Sequence, residues 1–214
     1  MPIPRGPVKG ITKPTESVAS PVSESLDLWD YRRRVSEMYA QVRKTGGGPE
    51  AWATWREARD DLFRNHPQTP LDDPTDFPGV PFYEYDESWR TMAEFIPDEP
   101  RAWGEFSRIG HLHFELTAGA GWLPVFWLDA YGGGIFVPFS DATNGDSTYG
   151  GGRYLLDTAK GADLGHVGNR VTLDFNYAYH PSCVYSYRWS CPLAPLESRL
   201  AFAVPAGECL ADQG

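Results

Sequence analysis

The spacing of the apolar residues changes once along this chain, from a helical period to the alternation of a β-strand, and this change constrains the fold more than any other feature. Residues 25–65 carry apolar side chains every three or four positions, in two stripes separated by three consecutive glycines. The first stripe comprises Leu28, Tyr31, Val35, Met38 and Val42, and the second comprises Trp52, Trp55, Leu62 and Phe63. The sequence therefore predicts an antiparallel pair of helices, Ser25–Lys44 and Glu50–Asn65.

Beyond residue 82 the apolar residues alternate with polar ones, strictly so in 111–116 (HLHFEL) and 170–176 (RVTLDFN). About seven or eight such segments, separated by turn residues, reach residue 204. Helical segments do not alternate with them, which disfavours a parallel sheet. The predicted fold class is α+β, mainly β: an antiparallel β sandwich or barrel with an N-terminal helical pair. We expect a flexible or wrapping tail at 1–23, the helical pair at 24–66 and the β domain at 67–214, the last two forming one globular unit.

Charge and composition limit the classes of molecule that the protein can be expected to bind. The formal net charge of −10 argues against nucleic acid and against anionic membrane surfaces, because both are negatively charged. No run of about 18 apolar residues is present, so no membrane span is expected, and the N-terminal residues lack the apolar core of a secretory signal. Three cysteines do not suggest a disulfide framework, which favours the cytoplasm. A small-molecule ligand or substrate is the expected partner, and a homodimer is left open.

Residues 147–157 (STYGGGRYLLD) contain a second run of three glycines. A phosphate-binding loop requires a helix start behind the glycines, whereas here a short strand-like segment follows and the lysine of such loops is absent. A sharp glycine turn is the simplest interpretation. Polar side chains surround it, however, and glycines beside such groups also allow a ligand to approach the backbone closely.

Residues 178–195 (AYHPSCVYSYRWSCPLAP) hold two cysteines, Cys183 and Cys191, close to His180. Their spacing lacks the close cysteine pair of a zinc site, so no metal is expected. A disulfide across a hairpin is disfavoured in the cytoplasm, and a nucleophilic thiol would need a base such as His180 or His113. Two small thiols packed beside aromatic rings are the simplest interpretation. We expect no cofactor, neither flavin nor nicotinamide.

Three long segments, 55–71, 138–155 and 173–200, resemble the bacterial family catalogued as domain of unknown function 1684. The resemblance extends over about Glu50–Glu208, most of the chain. It implies membership of that family but no particular reaction.

The two polar segments are expected to converge on one site, because polar groups set into apolar strands must bond to one another or to a ligand. In this hypothesis Asp174 is the general base, Tyr149 the proton donor or oxyanion partner, and Arg153 the anion-binding group. The expected substrate-binding residues are Asp141, Thr148, Tyr154, Asn176, Tyr179 and Glu197. No metal ligand is assigned.

This site predicts a cofactor-independent enzyme that applies acid/base chemistry to a small organic molecule, of isomerase, cyclase, lyase or hydrolase type. The first alternative is a β domain that binds a small ligand in the same pocket without catalysis. The second is that both segments are structural turns, with Arg153 held in a buried ion pair by Asp141 or Asp174.

Overall fold

A computed structural model describes residues 21–211. Two helices come first, α1 (Pro21–Thr45) and α2 (Pro49–Asn65), and they confirm the predicted helical pair. Pro49 takes the first turn of α2, where its missing N–H group costs no hydrogen bond. Of the tail expected at 1–23, residues 1–20 lie outside the described residues, while residues 21–23 belong to α1. Within residues 21–211, no helix is both long enough and apolar enough to cross a membrane.

Seven strands follow and form one sheet in which every neighbouring pair is antiparallel. The strands are β1 (Arg90–Trp103), β2 (Phe106–Leu116), β3 (Gly119–Leu128), β4 (Ile135–Phe139), β5 (Arg153–Asp157), β6 (His166–Val167) and β7 (Arg170–Asp174). Their order across the sheet is β5-β4-β3-β2-β1-β7-β6. The sheet curls into a half-barrel, so the predicted mainly β, antiparallel architecture is confirmed in this single-sheet form.

The sheet carries apolar side chains on both faces, as the alternation of residues along its strands allows. On β4, Val137 and Phe139 enter one core cluster, while Phe136, which precedes Val137, enters the other. The second cluster contains Tyr39 of α1 and Trp55 of α2, so the helical pair covers that face of the sheet. One core therefore lies between the helices and the sheet, and the other lies on the opposite face.

Residues 199–205, for which the alternation predicts a strand, form none. The carbonyl oxygens of Val204 and Ala206 accept hydrogen bonds from the guanidinium of Arg153 and not from a neighbouring strand. Val204 is nevertheless fully buried. The segment shares backbone hydrogen bonds with residues 140–142, but they form only an isolated bridge between Ser140 and Arg199 and not a strand.

Candidate active site

Arg153 and Asp141 form a fully buried ion pair at the start of β5, with 2.8 Å between Nη2 and Oδ2. Nη2 also donates to the carbonyl oxygen of Val204 (2.8 Å), and Nη1 donates to those of Ala206 and Glu208. Both Nη atoms of Arg153 thus donate hydrogen bonds to acceptors of the protein itself. Its Nε is also buried and has no partner within residues 21–211. This arrangement corresponds to the buried ion pair of the structural alternative, and the side chain of Arg153 is fully buried.

The glycine loop before β5 has a structural explanation as well. Gly152 has φ of 94°, and a Cβ atom there would lie 2.6 Å from the carbonyl oxygen of Phe139. Thr148, expected to bind substrate, is fully buried, with its hydroxyl 2.8 Å from that of Thr143. Thr143 in turn donates to Asp141 (2.6 Å). The loop closes on itself through these contacts.

Tyr149 lies at the edge of this loop, against the second polar segment. Its backbone N–H donates to Nε2 of His180 (3.2 Å), which fixes the neutral tautomer with the proton on Nδ1. Burial raises the pKa of Tyr149, with Cys183 beside it as a further cause. Cys183 and Cys191 are free, half-buried thiols. Tyr149 therefore contacts His180 and Cys183 and not the expected arginine.

Glu197 does not join the other expected site residues. It is exposed, and its Oε2 accepts a hydrogen bond from Nη1 of Arg108 on β2 (2.7 Å). Tyr154 and Tyr179 do lie together, with ring centroids 5.7 Å apart, in a cleft of about 260 Å³ beneath α1. The hydroxyl of Tyr154 donates to the carbonyl oxygen of Pro192. The expected site is thus divided among separate places in the fold.

Asp174 and Asn176 remain together at the end of β7. Oδ1 of Asp174 accepts hydrogen bonds from the backbone N–H (3.0 Å) and from Nδ2 (2.8 Å) of Asn176, and so caps the 3₁₀ turn Phe175–Tyr177. Asn176 also exchanges two hydrogen bonds with the backbone of Asp86, just before β1. These contacts fix the orientation of the Asp174 carboxyl group.

We call the cavity beside this carboxyl group the Asp174 pocket. It has a volume of about 180 Å³, and the residues that define it here are Gly46, Gly47, Arg90, Thr172, Asp174 and Tyr177. The sheet register pairs Arg90, the first residue of β1, directly with Asp174, the last of β7. Gly47 has φ of 84°, and a Cβ atom there would lie 2.9 Å from Nη1 of Arg90. The loop after α1 therefore needs glycine to let the guanidinium pass.

Two polar atoms of the Asp174 pocket lack a partner. Asp174 is 1% exposed, and its Oδ2 makes no hydrogen bond with any residue in 21–211. Within the same range, the buried hydroxyl of Tyr177 is also unpaired. Buried polar groups without partners are costly and are uncommon outside functional sites. A buried, unpaired phenol beside a carboxyl group with one oxygen open to the cavity marks this pocket as the best candidate for an active site.

The electrostatics suit proton transfer. Burial raises the pKa of Asp174 to about 6, although the hydrogen bonds from Asn176 and the charge of Arg90 act in the opposite direction. Burial also raises the pKa of Tyr177, and the nearby Asp174 charge adds to the effect. Near neutral pH the pocket thus presents a carboxyl group that can gain or lose a proton and a phenol that remains a donor.

Sequence reasoning identified Asp174 and Asn176 but missed Arg90 and Tyr177. Tyr177 follows Asn176 by one residue and could have been noticed as a phenol in the same short turn. Arg90 could not, because its position opposite Asp174 depends on the pairing of β1 with β7. Among residues 21–211, no group of three or more His, Cys, Asp or Glu side chains is placed to hold a metal ion.

Comparisons with known proteins agree with this fold. The family described as Protein of unknown function (DUF1684) matches residues 75–209. The solution NMR structure of an uncharacterized protein from Haloarcula marismortui is similar, with 33% sequence identity and a TM-score of 0.56, over 77% of this chain and 97% of that chain. A comparison with curated proteins gave no match.

Proposed function

The chain belongs to the family of proteins of unknown function DUF1684, and from that premise we propose that it is a cofactor-independent enzyme moving a proton on a small organic molecule. The proposed active site is the Asp174 pocket. Asp174 keeps the role of general base expected from the sequence, while Tyr177 and Arg90 take the roles first expected for Tyr149 and Arg153. A cytoplasmic location and a small-molecule substrate belong to the same proposal.

The observation that carries the proposal is a cavity lined by Asp174, Arg90 and Tyr177 in which the 1%-exposed carboxyl group uses only Oδ1 for hydrogen bonds within residues 21–211 and the buried phenol hydroxyl has no partner there. A carboxylate group that is 1% exposed has lost most of its hydration and is stable only when other contacts compensate for that loss. Asn176 satisfies Oδ1 alone. A bound molecule that presents an acidic hydrogen to Oδ2 would supply the missing contact.

Proton abstraction beside a carbonyl group is the chemistry that suits these residues best. Ionised Asp174 would remove a proton from the adjacent carbon. The electron pair of that C–H bond would form a C=C bond, and the π pair of the carbonyl group would move to its oxygen to give an enolate. Arg90 would stabilise the negative charge, and Tyr177 would donate a hydrogen bond to the same oxygen. Returning the proton to another carbon gives an isomer, and loss of a leaving group gives an elimination product. Isomerase and lyase types are therefore favoured over cyclase and hydrolase types.

The test is hydrogen exchange at carbon. The protein is incubated in D₂O with pyruvate or 2-oxobutyrate, and proton NMR follows the loss of the signals next to the carbonyl group. Replacing Asp174 by Asn should reduce the enzyme-dependent rate about a hundredfold or more, because the general base is lost. The matched control is Asp72→Asn, an exposed position outside the pocket, and it should leave the rate unchanged. A folded Asp174→Asn protein that retains the wild-type rate would contradict the proposal.

Ligand binding without catalysis is the second candidate, and the position of Arg90 favours it. A guanidinium beside a small cavity can hold a carboxylate whether or not chemistry follows. In that case neither 2-oxo acid would exchange hydrogen in the presence of the protein. Their binding would still perturb the NMR signals of Arg90 and Tyr177, and Asp174→Asn would strengthen it by removing a negative charge.

A further inference from the structure

We propose that a second cavity, the cleft beneath α1, binds a small aromatic carboxylate. The cleft has a volume of about 260 Å³. Its main aromatic walls are Tyr31, Tyr39, Phe63, Tyr154, Tyr179 and Trp189. The rings of Tyr39 and Tyr177 contact each other with centroids 6.3 Å apart, which places an aromatic pair between this cleft and the Asp174 pocket. The proposal therefore concerns a separate site and stands or falls independently of the proposed catalysis.

The charge of the cleft is opposite to that of the chain. Its lining contains the basic residues Arg32, Arg59 and Lys160 and no acidic residue, although the net charge of the whole chain is −10. Two of these cations form ion pairs with carboxylates that do not line the cleft. Nε of Arg59 lies 2.5 Å from Oε1 of Glu208, and Nζ of Lys160 lies 2.9 Å from Oδ2 of Asp157. An anion entering the cleft would meet the cations before it met either carboxylate.

Arg59 provides the donors for such an anion. It is 8% exposed, and only its Nε takes part in a hydrogen bond with the residues described in 21–211. Its guanidinium lies over the rings of Phe63 and Tyr179, at 4.8 Å and 5.0 Å from their centroids. Stacking of this kind holds the plane of the group still and leaves its terminal N–H groups free for the two oxygens of a carboxylate.

The walls specify the rest of the ligand. Tyr154 and Tyr179 meet edge to face, with an interplanar angle of 82°, so a flat ring can pack against either of them without disturbing the pair. Tyr39 also belongs to the lining, and its buried hydroxyl has no partner among the described residues. A planar ring with one carboxylate group would use the apolar walls, the guanidinium and this hydroxyl together.

Benzoate is the probe, and benzamide is its neutral counterpart of the same shape. Titration followed by two-dimensional NMR should show benzoate, at up to about 10 mM, shifting the side-chain signals of Arg59 and Trp189. Benzamide should bind about tenfold or more weakly, the loss expected for one charge-assisted contact. Equal binding of the two compounds, or no shift at these residues with benzoate, would overturn the proposal.

Substitutions locate the site. Because Arg59→Gln alone would strand the buried Glu208, it is combined with Glu208→Gln, which makes the pair neutral. This double variant should lose benzoate binding about tenfold or more. Tyr39→Phe removes only an unpaired hydroxyl, should leave the fold intact and should weaken benzoate binding measurably. The control is Arg64→Ala, an exposed arginine on the same helix outside the cleft, which should bind benzoate as the wild type does. The assignment is refuted if the Tyr39→Phe variant and the double variant, each measured separately, both bind benzoate as the wild type does. If the double variant does not fold, undiminished benzoate binding by Tyr39→Phe alone refutes it.

Discussion

Replacing Asp174 by Asn should make the protein more stable above pH 6 while it removes the proposed activity. The pKa of this carboxyl group rises from 3.8 to about 6 on folding, chiefly because of burial. Among the charges that face it, Arg90 lowers the pKa and Glu87 raises it. Between about pH 4 and pH 6 the folded protein therefore holds a proton that the unfolded chain has already released. The contribution of this carboxyl group to the free energy of unfolding is fully present below about pH 4 and is lost as the pH rises through 6.

The magnitude follows from the size of the shift. About two pKa units at about 1.4 kcal/mol each give a loss of about 3 kcal/mol in the free energy of unfolding between pH 4 and pH 8. Asparagine cannot ionise, so the variant avoids this loss. Its side-chain oxygen can still accept both hydrogen bonds from Asn176, and the turn that Asp174 caps is preserved. At pH 8 the variant should exceed the wild type by up to about 3 kcal/mol, and near pH 4 the two should be equal.

Urea unfolding followed by tryptophan fluorescence, at intervals from pH 4 to pH 8, measures this difference directly. Asp72→Asn again serves as the control, because it removes a carboxyl group at an exposed position. The difference between the Asp174 variant and the wild type should grow through pH 5 and 6. A difference that stays constant over the whole range would refute the assigned pKa and, with it, the electrostatic basis of the proposed active site.

Three further outcomes follow from the structure. Arg153→Met should lower the free energy of unfolding by about 3–5 kcal/mol in urea titrations, because it strands a buried carboxylate, and a loss below about 1 kcal/mol would contradict the structural role. In thermal unfolding, Gly47→Ala should destabilise the protein more than Gly46→Ala. Both positions have positive φ, but only at Gly47 would the new Cβ atom meet Arg90. Equal destabilisation by the two substitutions would exclude that contact. Burial and the nearby arginines lower the pKa of His180 to about 3, so this group should reduce the stability of the wild type as the pH falls below 6.5. The His180→Gln variant should lose less stability over the same range. Parallel acid unfolding curves of the two proteins would disprove this.

The change of apolar period was enough to predict the helical pair and the antiparallel sheet, because burial against one face imposes that period whatever the partner is. It failed at residues 199–205 for the same reason. Leu200 and Phe202 share backbone hydrogen bonds with Ser140 and Ala142. The backbone of Val204 bonds instead to the side chains of Asp141 and Arg153, so the pairing does not extend to a strand, and periodicity records only the burial. The curl of the sheet into a half-barrel depends on pairings that periodicity does not contain.

The candidate site was predictable where the signal was local. Asp174 and Asn176 are polar residues at the end of an apolar strand, and the structure keeps them buried and bonded to each other. Arg90 stands 84 residues earlier and meets Asp174 only through the sheet register. Arg153 is fully buried with protein acceptors on both Nη atoms, an environment that the sequence alone does not distinguish from that of an arginine open to a ligand.

The buried guanidinium of Arg153 also has a consequence for the order of events during synthesis. Its acceptors include the carbonyl oxygens of Val204, Ala206 and Glu208, about fifty residues further along the chain. Until the ribosome has released those residues, the arginine at the start of β5 has Asp141 but lacks these three acceptors. A chain interrupted before residue 204 would contain the residues of both helices and every strand but would lack these three acceptors and the core residues Val204 and Ala206. Completion of the native state thus waits for residues 204–208, and a product truncated before them should be unstable.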